Sequence, residues 1–416
     1  MTNAAFDVRV LSEAECETRT AIGHKARIFS ARIRPGASKD ELVVATASED
    51  GNAIVWRGRA LRRAYVLEGH SEEVLGVEWS NDGTLLTTAS ADNTACVWRI
   101  PPSDEVGERP PSKLTTVELD DHVYKAVADV RSASSVRLYA IHGNRLSCWD
   151  VGAGQYVFQV ACELRGHVYG GVRNEENAAF VFDLDVSTAL TTTTDGDGTD
   201  ASTRAIALAC SDGSVRVHDA EDGSELLCAE SEHFHGTLCP HSCLRWAQGP
   251  DGRTLTKSAS ETGAAHALLV CGSGDGSITV LRVCWSDGPG DASRPDTVSR
   301  VWGVGRMAAW QAHNRTLFDC LALSSRDGAV LEVVTCSGDG TIKLWTVDMD
   351  PYKLLSQASQ ERQPACVMVK PNYPIHSFDY ARREDGMPTL VCAGGTSGYF
   401  GTPWFVFKIP SVCMTC

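Results

Sequence analysis

The sequence contains no uninterrupted apolar segment close to the roughly 20 residues that a membrane-spanning helix needs. Its first residues, MTNAAFDVRV, lack the basic segment followed by an apolar core that marks a secretory signal peptide. Positive charge is scarce, because 38 Lys and Arg stand against 53 Asp and Glu, giving a formal net charge of −15. These features predict a cytoplasmic or nuclear protein with no direct nucleic-acid or membrane contact.

Sequence motifs that mark common enzyme classes are missing as well. The chain has no G-x-S-x-G nucleophile motif and no H-E-x-x-H metalloprotease motif. The glycine-rich segment GSGDGS at 272–277 lacks the spacing of a phosphate-binding loop. We therefore predict that the protein is not an enzyme and that it needs no cofactor.

The most informative feature that is present is an internal repeat. Three segments, 23–58, 69–100 and 312–347, each place a histidine near the start and a tryptophan near the end. An Asp in a tight-turn context stands six residues before each tryptophan. Apolar and polar residues alternate on either side of that turn, as in antiparallel strands with one buried face.

These segments resemble WD40 repeats. The resemblance implies a four-stranded antiparallel blade for each repeat, with the blades arranged around a central channel. It also implies that a His, a Ser or Thr, an Asp and a Trp form a hydrogen-bonded chain within each regular blade. Carried over to this sequence, the three chains are His24, Ser48, Asp50 and Trp56; His70, Ser90, Asp92 and Trp98; and His313, Ser337, Asp339 and Trp345.

Weaker copies of the same pattern extend the repeat along the chain. We predict one all-β propeller over residues 6–411, with seven four-stranded blades and a tail at 412–416. Residues 6–11 are expected to supply the outer strand of the last blade and so to close the ring. The predicted blades cover approximately residues 23–58, 69–100, 119–161, 164–225, 235–285, 312–348 and 365–410.

One segment, HFHGTLCPHSC, concentrates residue types that bind zinc. Its candidate ligands are His233, His235, Cys239, His241 and Cys243. The alternative is that His235 or His241 opens a degenerate blade and that HSCLRWA forms its first strand. Strand spacing is poor for chelation, and no second cysteine pair follows at zinc-finger spacing. We therefore predict that the chain has no metal site. If it binds zinc, these five residues are the candidate ligands.

The resemblance to WD40 repeats implies a binding platform. We expect a non-catalytic scaffold or adaptor, a single propeller within a hetero-complex of proteins, which binds a partner peptide or domain on one face. On the face where loops enter each first strand, the candidate contacts are Arg27, Tyr124, Tyr169 and Arg315, because Tyr and Arg are enriched in binding hot spots. Two alternatives remain: a propeller hydrolase acting on a methyl ester, and an accessory subunit of an RNA-modifying complex.

Overall fold

The computed structural model describes most of the chain. The described residues are 9–11, 17–21, 23–36, 42–58, 61–102, 109–190, 203–231, 238–249, 251–258, 265–287, 300–325, 329–349, 364, 366–369, 374–382, 388–394 and 404–408. The regular elements that can be bounded in these residues are all β-strands. Within the same residues, no helix is long and apolar enough to cross a membrane.

Two short strands precede the first complete sheet, and the next strands form sheets in chain order. The early strands are β1 (Arg9–Leu11) and β2 (Glu17–Ala21). Sheet 1 contains β3 (Ile28–Ile33), β4 (Val43–Ser48), β5 (Ala53–Arg57) and β6 (Arg62–Leu67). Sheet 2 contains β7 (Val74–Trp79), β8 (Leu85–Ser90), β9 (Thr94–Arg99) and β10 (Ser112–Glu118). Sheet 3 contains β11 (Val123–Ser132), β12 (Ser135–His142), β13 (Arg145–Asp150) and β14 (Gln155–Ala161).

A hairpin separates the third sheet from the fourth, and the remaining sheets follow the same order. The hairpin pairs β15 (His167–Tyr169) with β16 (Val172–Asn174). Sheet 4 contains β17 (Val181–Val186), β18 (Ala205–Cys210), β19 (Ser214–Asp219) and β20 (Glu225–Glu230). Sheet 5 contains β21 (His241–Trp246), β22 (Thr256–Ser258), β23 (Ala265–Ser273), β24 (Ser277–Asp287) and β25 (Arg300–Gln311). Sheet 6 contains β26 (Leu317–Ser324), β27 (Val330–Ser337), β28 (Thr341–Asp348) and β29 (Cys366–Val369). Sheet 7 contains β30 (Ile375–Arg382), β31 (Pro388–Gly394) and β32 (Trp404–Lys408).

Burial decreases from the inner strands of a sheet to its outer strand. The second strands of sheets 1, 2 and 4 carry the small and apolar sequences VVATAS, LLTTAS and AIALAC, and all their residues are buried. Both faces of these strands therefore pack against neighbouring sheets, which suits small and β-branched side chains. The outer strands β6 and β14 are instead partly or fully exposed along most of their length.

The hydrophobic core is divided into layers between neighbouring sheets. One layer joins sheets 1 and 2 and contains Val55, Val77 and Trp98, and another joins sheets 5 and 6 and contains Val280 and Trp345. Comparable layers lie between sheets 2 and 3, 3 and 4, and 4 and 5. Face-to-face packing in chain order around a common centre is the architecture of a propeller, so the all-β propeller class is confirmed.

The N-terminal strands join the last two sheets in a way the sequence did not predict. Residues 6–11 were expected to complete the last sheet, but β1 instead pairs in parallel with β29 at the outer edge of sheet 6. The outer strand of sheet 7 is β2, which pairs antiparallel with β32. Only residues 12–16 connect β1 to β2, a length that suits a chain crossing between adjacent sheets.

The predicted number of seven blades is corrected to six. Sheets 1 to 6 have described side chains on at least their three inner strands and establish six blades, one fewer than the seven predicted. Sheet 7 is defined mainly by backbone pairing, because its side chains are described only at 374–379.

Candidate partner-binding face

The predicted hydrogen-bonded chain of sheet 1 runs through a different hydroxyl. His24 Nδ1 lies 3.0 Å from Asp50 Oδ2, and His24 Nε2 lies 2.8 Å from Thr46 Oγ1. Trp56 Nε1–H donates to the same Thr46 Oγ1 at 2.8 Å. Burial alone would raise the pKa of Asp50, but hydrogen bonds from His24 and the Lys25 backbone lower it to about 2.

Sheets 2 and 6 repeat this arrangement, so the predicted serines are corrected to threonines in all three sheets. Thr88 links His70 to Trp98, and Thr335 links His313 to Trp345. The serine two residues later has another role: Ser48, Ser90 and Ser337 each donate to a backbone carbonyl and accept the backbone N–H of the turn aspartate. Successive residues of a strand point to opposite faces, so residues two apart share a face and sequence spacing alone could not separate them.

The candidate metal ligands are only partly within the described residues. His233 and His235 lie outside them. Cys239, His241 and Cys243 are buried, and His241 Nδ1 lies 3.3 Å from Ser273 Oγ. A hydrogen bond with Cys320 and burial raise the pKa of Cys243 well above its usual range, which favours the neutral thiol. The described residues contain no group of three or more side chains that could hold a metal ion.

The first strands of the sheets surround a central channel whose interior is charged. Six consecutive ion pairs, with N–O distances from 2.8 to 3.1 Å, form a closed ring that we call the charge belt. Cations and carboxylates alternate from sheet 1 to sheet 6. The members of the charge belt are Arg32, Glu78, Lys125, Asp183, Arg245 and Asp319.

The charge belt is largely buried, and the pKa values of two of its carboxylates are lowered. Burial alone would raise the pKa of Glu78, but Arg32, Lys125 and Arg245 lower it to about 2. The pKa of Asp183 is likewise lowered against the effect of burial, chiefly by Arg245 and Lys125. Because every carboxylate has two cationic neighbours, the ring compensates the cost of removing its charges from water.

Aromatic side chains lie at the channel mouth, directly above the charge belt. The first aromatic wall consists of Phe29, His376 and Phe318, whose ring centroids are 6.2 and 5.0 Å apart along the series. The second aromatic wall consists of Tyr124, Phe180 and Phe182, with centroid separations of 5.7 and 4.5 Å. The first wall spans sheets 6, 7 and 1, whereas the second spans sheets 3 and 4, on the opposite side of the ring.

Members of both walls line one cavity, whose aromatic part we call the slot. Leu75 and Gly76 of sheet 2 and Ser242 of sheet 5 line the same cavity. The cavity has a volume of about 100 Å³, and its lining includes residues from the inner strands of sheets 1 to 7. Phe318 is 37% exposed, so part of the first wall is accessible from outside.

The predicted contact residues are distributed around this slot. Tyr124 lies in the second aromatic wall. Arg27 lies over the ring of Phe29, with Cζ 5.6 Å from the ring centroid, and its guanidinium pairs with Glu49 at 3.0 Å. Arg315 is exposed beside Phe318. The structure thus places three of the four predicted residues at or next to the mouth.

The fourth predicted residue, Tyr169, projects from the hairpin outside the cavity. The hairpin turns through Gly170 and Gly171, whose φ angles of +58° and +79° suit the tight turn that connects two twisted strands. Its base is fixed, because Val168 is buried and Val168 N–H donates to Ser211 O at 2.9 Å. Tyr169 itself is 84% exposed.

Stacking connects the hairpin to the slot. His167 stacks on Phe180 at a centroid distance of 5.6 Å, and Phe180 belongs to the second aromatic wall. The base of the hairpin that carries Tyr169 therefore lies beside the second aromatic wall.

Most of the slot and the whole charge belt were not predicted from the sequence. Four aromatic residues each occupy the second position of a first strand, after an aliphatic residue and before a Ser or Asp: Phe29, Phe182, Phe318 and His376. The strand sequences IFSARI, VFDLDV, LFDCLA and IHSFDY carry that signal. Aligning the first strands with one another, rather than searching for the Asp-turn, would have found it.

The comparison with known families agrees with this architecture. The family model described as "WD domain, G-beta repeat" matches residues 61–99 and 306–346. Two segments of the chain are therefore WD40 repeats. Its first matched segment covers the outer strand of sheet 1 and most of sheet 2, and its second covers the end of β25 and most of sheet 6.

Curated relatives match short parts of this chain. The "Probable cytosolic iron-sulfur protein assembly protein 1" of Candida glabrata is 33% identical over 95 residues, which are 20% of this chain and 26% of that protein. The "Chromatin assembly factor 1 subunit FAS2 homolog" of Oryza sativa subsp. japonica is 30% identical over 81 residues, 18% of this chain and 15% of that protein. The matched segments span about a quarter or less of these relatives.

A solved structure resembles the whole propeller. The crystal structure of the RRP9 WD40 repeats superimposes with a TM-score of 0.60 and covers 97% of this chain and 99% of that chain. Sequence identity is 15%, so this likeness shows the fold alone.

Proposed function

We propose that this chain is a non-catalytic scaffold or adaptor that receives a segment of a partner protein in the aromatic slot. The observation that carries the proposal is the pair of aromatic walls above the charge belt. Aromatic side chains supply large contact areas at low entropic cost and are enriched among binding hot spots. A partially exposed aromatic slot on a rigid sheet framework therefore suits docking of a side chain from outside.

The charge belt supports a binding role over a chemical one. Its carboxylates and cations are all engaged in ion pairs, which limits their availability as general acids or bases. The charge-belt residues line the same cavity as the aromatic walls, so a docked side chain would lie next to them. No specific contact in the described residues favours the alternatives of a methyl-ester hydrolase or an RNA-modification subunit.

We further propose that Arg27, Tyr124, Arg315 and Tyr169 contact the partner. The first three lie in or beside the aromatic walls. Tyr169 would act as a second anchor at some distance, because the fixed hairpin presents it together with Val172, which is 68% exposed. Exposed apolar groups clustered on one face are typical of interaction sites.

We also propose that sheet 7 is a seventh blade that closes the ring. Ser377 of β30 accepts a hydrogen bond from Arg32 Nη1 at 2.7 Å and donates to Asp319 at 3.1 Å, and so lies between sheets 1 and 6. Asp379 of the same strand accepts the backbone N–H of Ile33 at 2.7 Å. Pairing of β2 with β32 would join the two chain ends in one sheet and protect its edge.

Protein partners in the cytoplasm or nucleus are part of this proposal. The rice relative is named as a subunit, which supports membership of a multiprotein complex. The described cysteines are free thiols, and most are buried in the strands. We propose a single propeller that binds other proteins and contacts neither nucleic acid nor membrane directly, in keeping with its net charge of −15.

Affinity purification of the full chain with quantitative mass spectrometry tests the scaffold role. The slot variant is Phe182→Ser with Phe318→Ser, and the control is Tyr156→Ser, an aromatic residue of the outer strand β14 that is 46% exposed. We expect stoichiometric partners with the wild type and the control, and their loss with the slot variant. Partners that remain bound to a folded slot variant, or a wild type that purifies without partners, would contradict the proposal.

A further inference from the structure

We propose that the aromatic slot selects a cationic side chain of the partner, a lysine ammonium or an arginine guanidinium. This inference deepens the proposed function and rests on it, because it names the chemistry of the group that enters the slot. It follows from the aromatic faces, the balance of charge beneath them and the depth of the cavity.

The aromatic faces of the slot attract cations. Aromatic rings carry negative potential on their faces, and a cation within about 6 Å of a ring centroid gains roughly 0.5–2 kcal/mol. Within this chain the Arg27 guanidinium already lies over Phe29 at 5.6 Å. The second wall, formed by Tyr124, Phe180 and Phe182, offers comparable rings across the slot.

The charge beneath the slot adds to this preference. The charge belt itself is balanced, with three cations and three carboxylates. Two further carboxylates lie two residues farther along the first strands of sheets 4 and 7, Asp185 and Asp379, and each accepts a backbone N–H at 2.7 Å. When ionised, these two carboxylates add negative charge next to the charge-belt cations Arg32 and Arg245, which favours a cation over an anion at the mouth.

The depth of the cavity suits a head group at the end of a long side chain. A volume of about 100 Å³ equals the share of roughly three water molecules in the liquid. A cavity of this volume is too small for a bulkier element such as a helix. A lysine or arginine could bury its aliphatic part between the walls while its cationic group displaces the water.

Ligand-observed NMR with four small probes tests the inference on the full chain. The probes are N-acetyl methylamides of lysine, of arginine, of glutamate and of a neutral lysine isostere in which a methyl group replaces the ammonium. We expect the lysine or arginine probe to bind about tenfold more tightly than the neutral isostere, equal to about 1.4 kcal/mol. The glutamate probe should not bind, and the better of the two cationic probes identifies the preferred head group.

Variants separate the electrostatic attraction from simple burial. Phe182→Leu and Phe318→Leu keep apolar volume but remove the ring faces, and they should weaken the cationic probe several-fold while leaving the neutral isostere unchanged. Tyr156→Leu on β14 is the matched control and should change neither. Thermal melting of each variant verifies that it is folded.

The failure of this inference is distinguishable from failure of the proposed function. The cation preference would be overturned if the cationic and neutral probes bound equally, or if the glutamate probe bound best. In that case, loss of partners from the slot variant would still support the scaffold role. Absence of binding by any cationic probe would also overturn the cation preference. If the slot variant in addition retained all partners, both proposals would fall.

Discussion

Replacing Thr335 by Val removes one hydroxyl from the core of sheet 6 at nearly constant volume. Trp345 Nε1–H donates to Thr335 Oγ1 at 3.0 Å. Because the neutral His313 ring directs its Nδ1–H to the Asp339 carboxylate at 2.9 Å, His313 Nε2 accepts the Thr335 hydroxyl proton at 2.8 Å. Burial lowers the pKa of His313, in agreement with a neutral ring in this arrangement.

The expected cost follows from the two groups that lose their partner. In Thr335→Val, the indole N–H of Trp345 and Nε2 of His313 stay buried without a hydrogen bond, at about 1–3 kcal/mol each. The sum, about 2–6 kcal/mol, is a large part of a typical free energy of unfolding. Thr335→Ser keeps the hydroxyl and should cost only about 1 kcal/mol for the lost methyl group.

Urea unfolding measured by tryptophan fluorescence compares the two variants with the wild type. Hydrogen–deuterium exchange should show that the loss of protection in Thr335→Val begins in β27 and β28. Equal unfolding midpoints for the Val and Ser variants would refute the reasoning, because the hydroxyl would then contribute nothing beyond packing.

Three further predictions concern a carboxylate next to the charge belt, a cation of the charge belt and a glycine turn. Burial raises the pKa of Asp185 to about 6, above its unfolded value near 4, so its ionisation costs stability above pH 6 and the cost disappears as pH falls toward 4. Asp185→Asn should therefore gain about 3 kcal/mol of unfolding free energy at pH 7.5 and almost nothing at pH 4 in urea titrations. A difference that does not depend on pH would contradict this. Arg245→Met removes one cationic partner from Asp183 and one from Asp319, so it should lower the free energy of unfolding by about 3–5 kcal/mol. The control Arg253→Met, at an exposed ion pair, should change it by no more than about 0.5 kcal/mol. Equal losses in the two variants would show that the charge belt does not stabilise the fold. Gly276 has φ +86°, and an added Cβ would overlap the carbonyl oxygen of His313. In thermal melts Gly276→Ala should therefore destabilise the protein well beyond the roughly 1–2 kcal/mol expected for Gly154→Ala, because Gly154 has φ +65° but open space around it. Equal destabilisation by the two variants would show that the turn at Gly276 relaxes.

The repeat pattern predicted the propeller because each blade repeats a local set of constraints. A histidine, an alternating strand, an Asp-turn and a tryptophan recur at nearly constant spacing in sheets 1, 2 and 6, and each feature acts within one sheet. The same pattern could not decide between Thr46 and Ser48, since both point to one face of β4 and both are buried. Strand pairing at the chain ends was equally hidden, because β1 and β2 are short and their partners lie more than 350 residues away.

The slot and the charge belt were beyond prediction for another reason. Each ion pair of the belt joins residues from different sheets, such as Arg32 and Asp319, which are 287 positions apart. No local pattern encodes such a contact, and a lone Arg or Asp in a first strand is typical of a surface residue. Tyr124 was predicted because it stands two residues after His122, whereas no histidine stands two residues before Phe182.

A structure of this protein bound to the most abundant partner from its own cells would test the central claim most directly. The account predicts that a partner segment enters the slot between Phe318 and Phe182 and that Tyr169 contacts the same partner. A partner bound only to the outer strands or to the opposite face of the propeller, with the slot vacant, would contradict it.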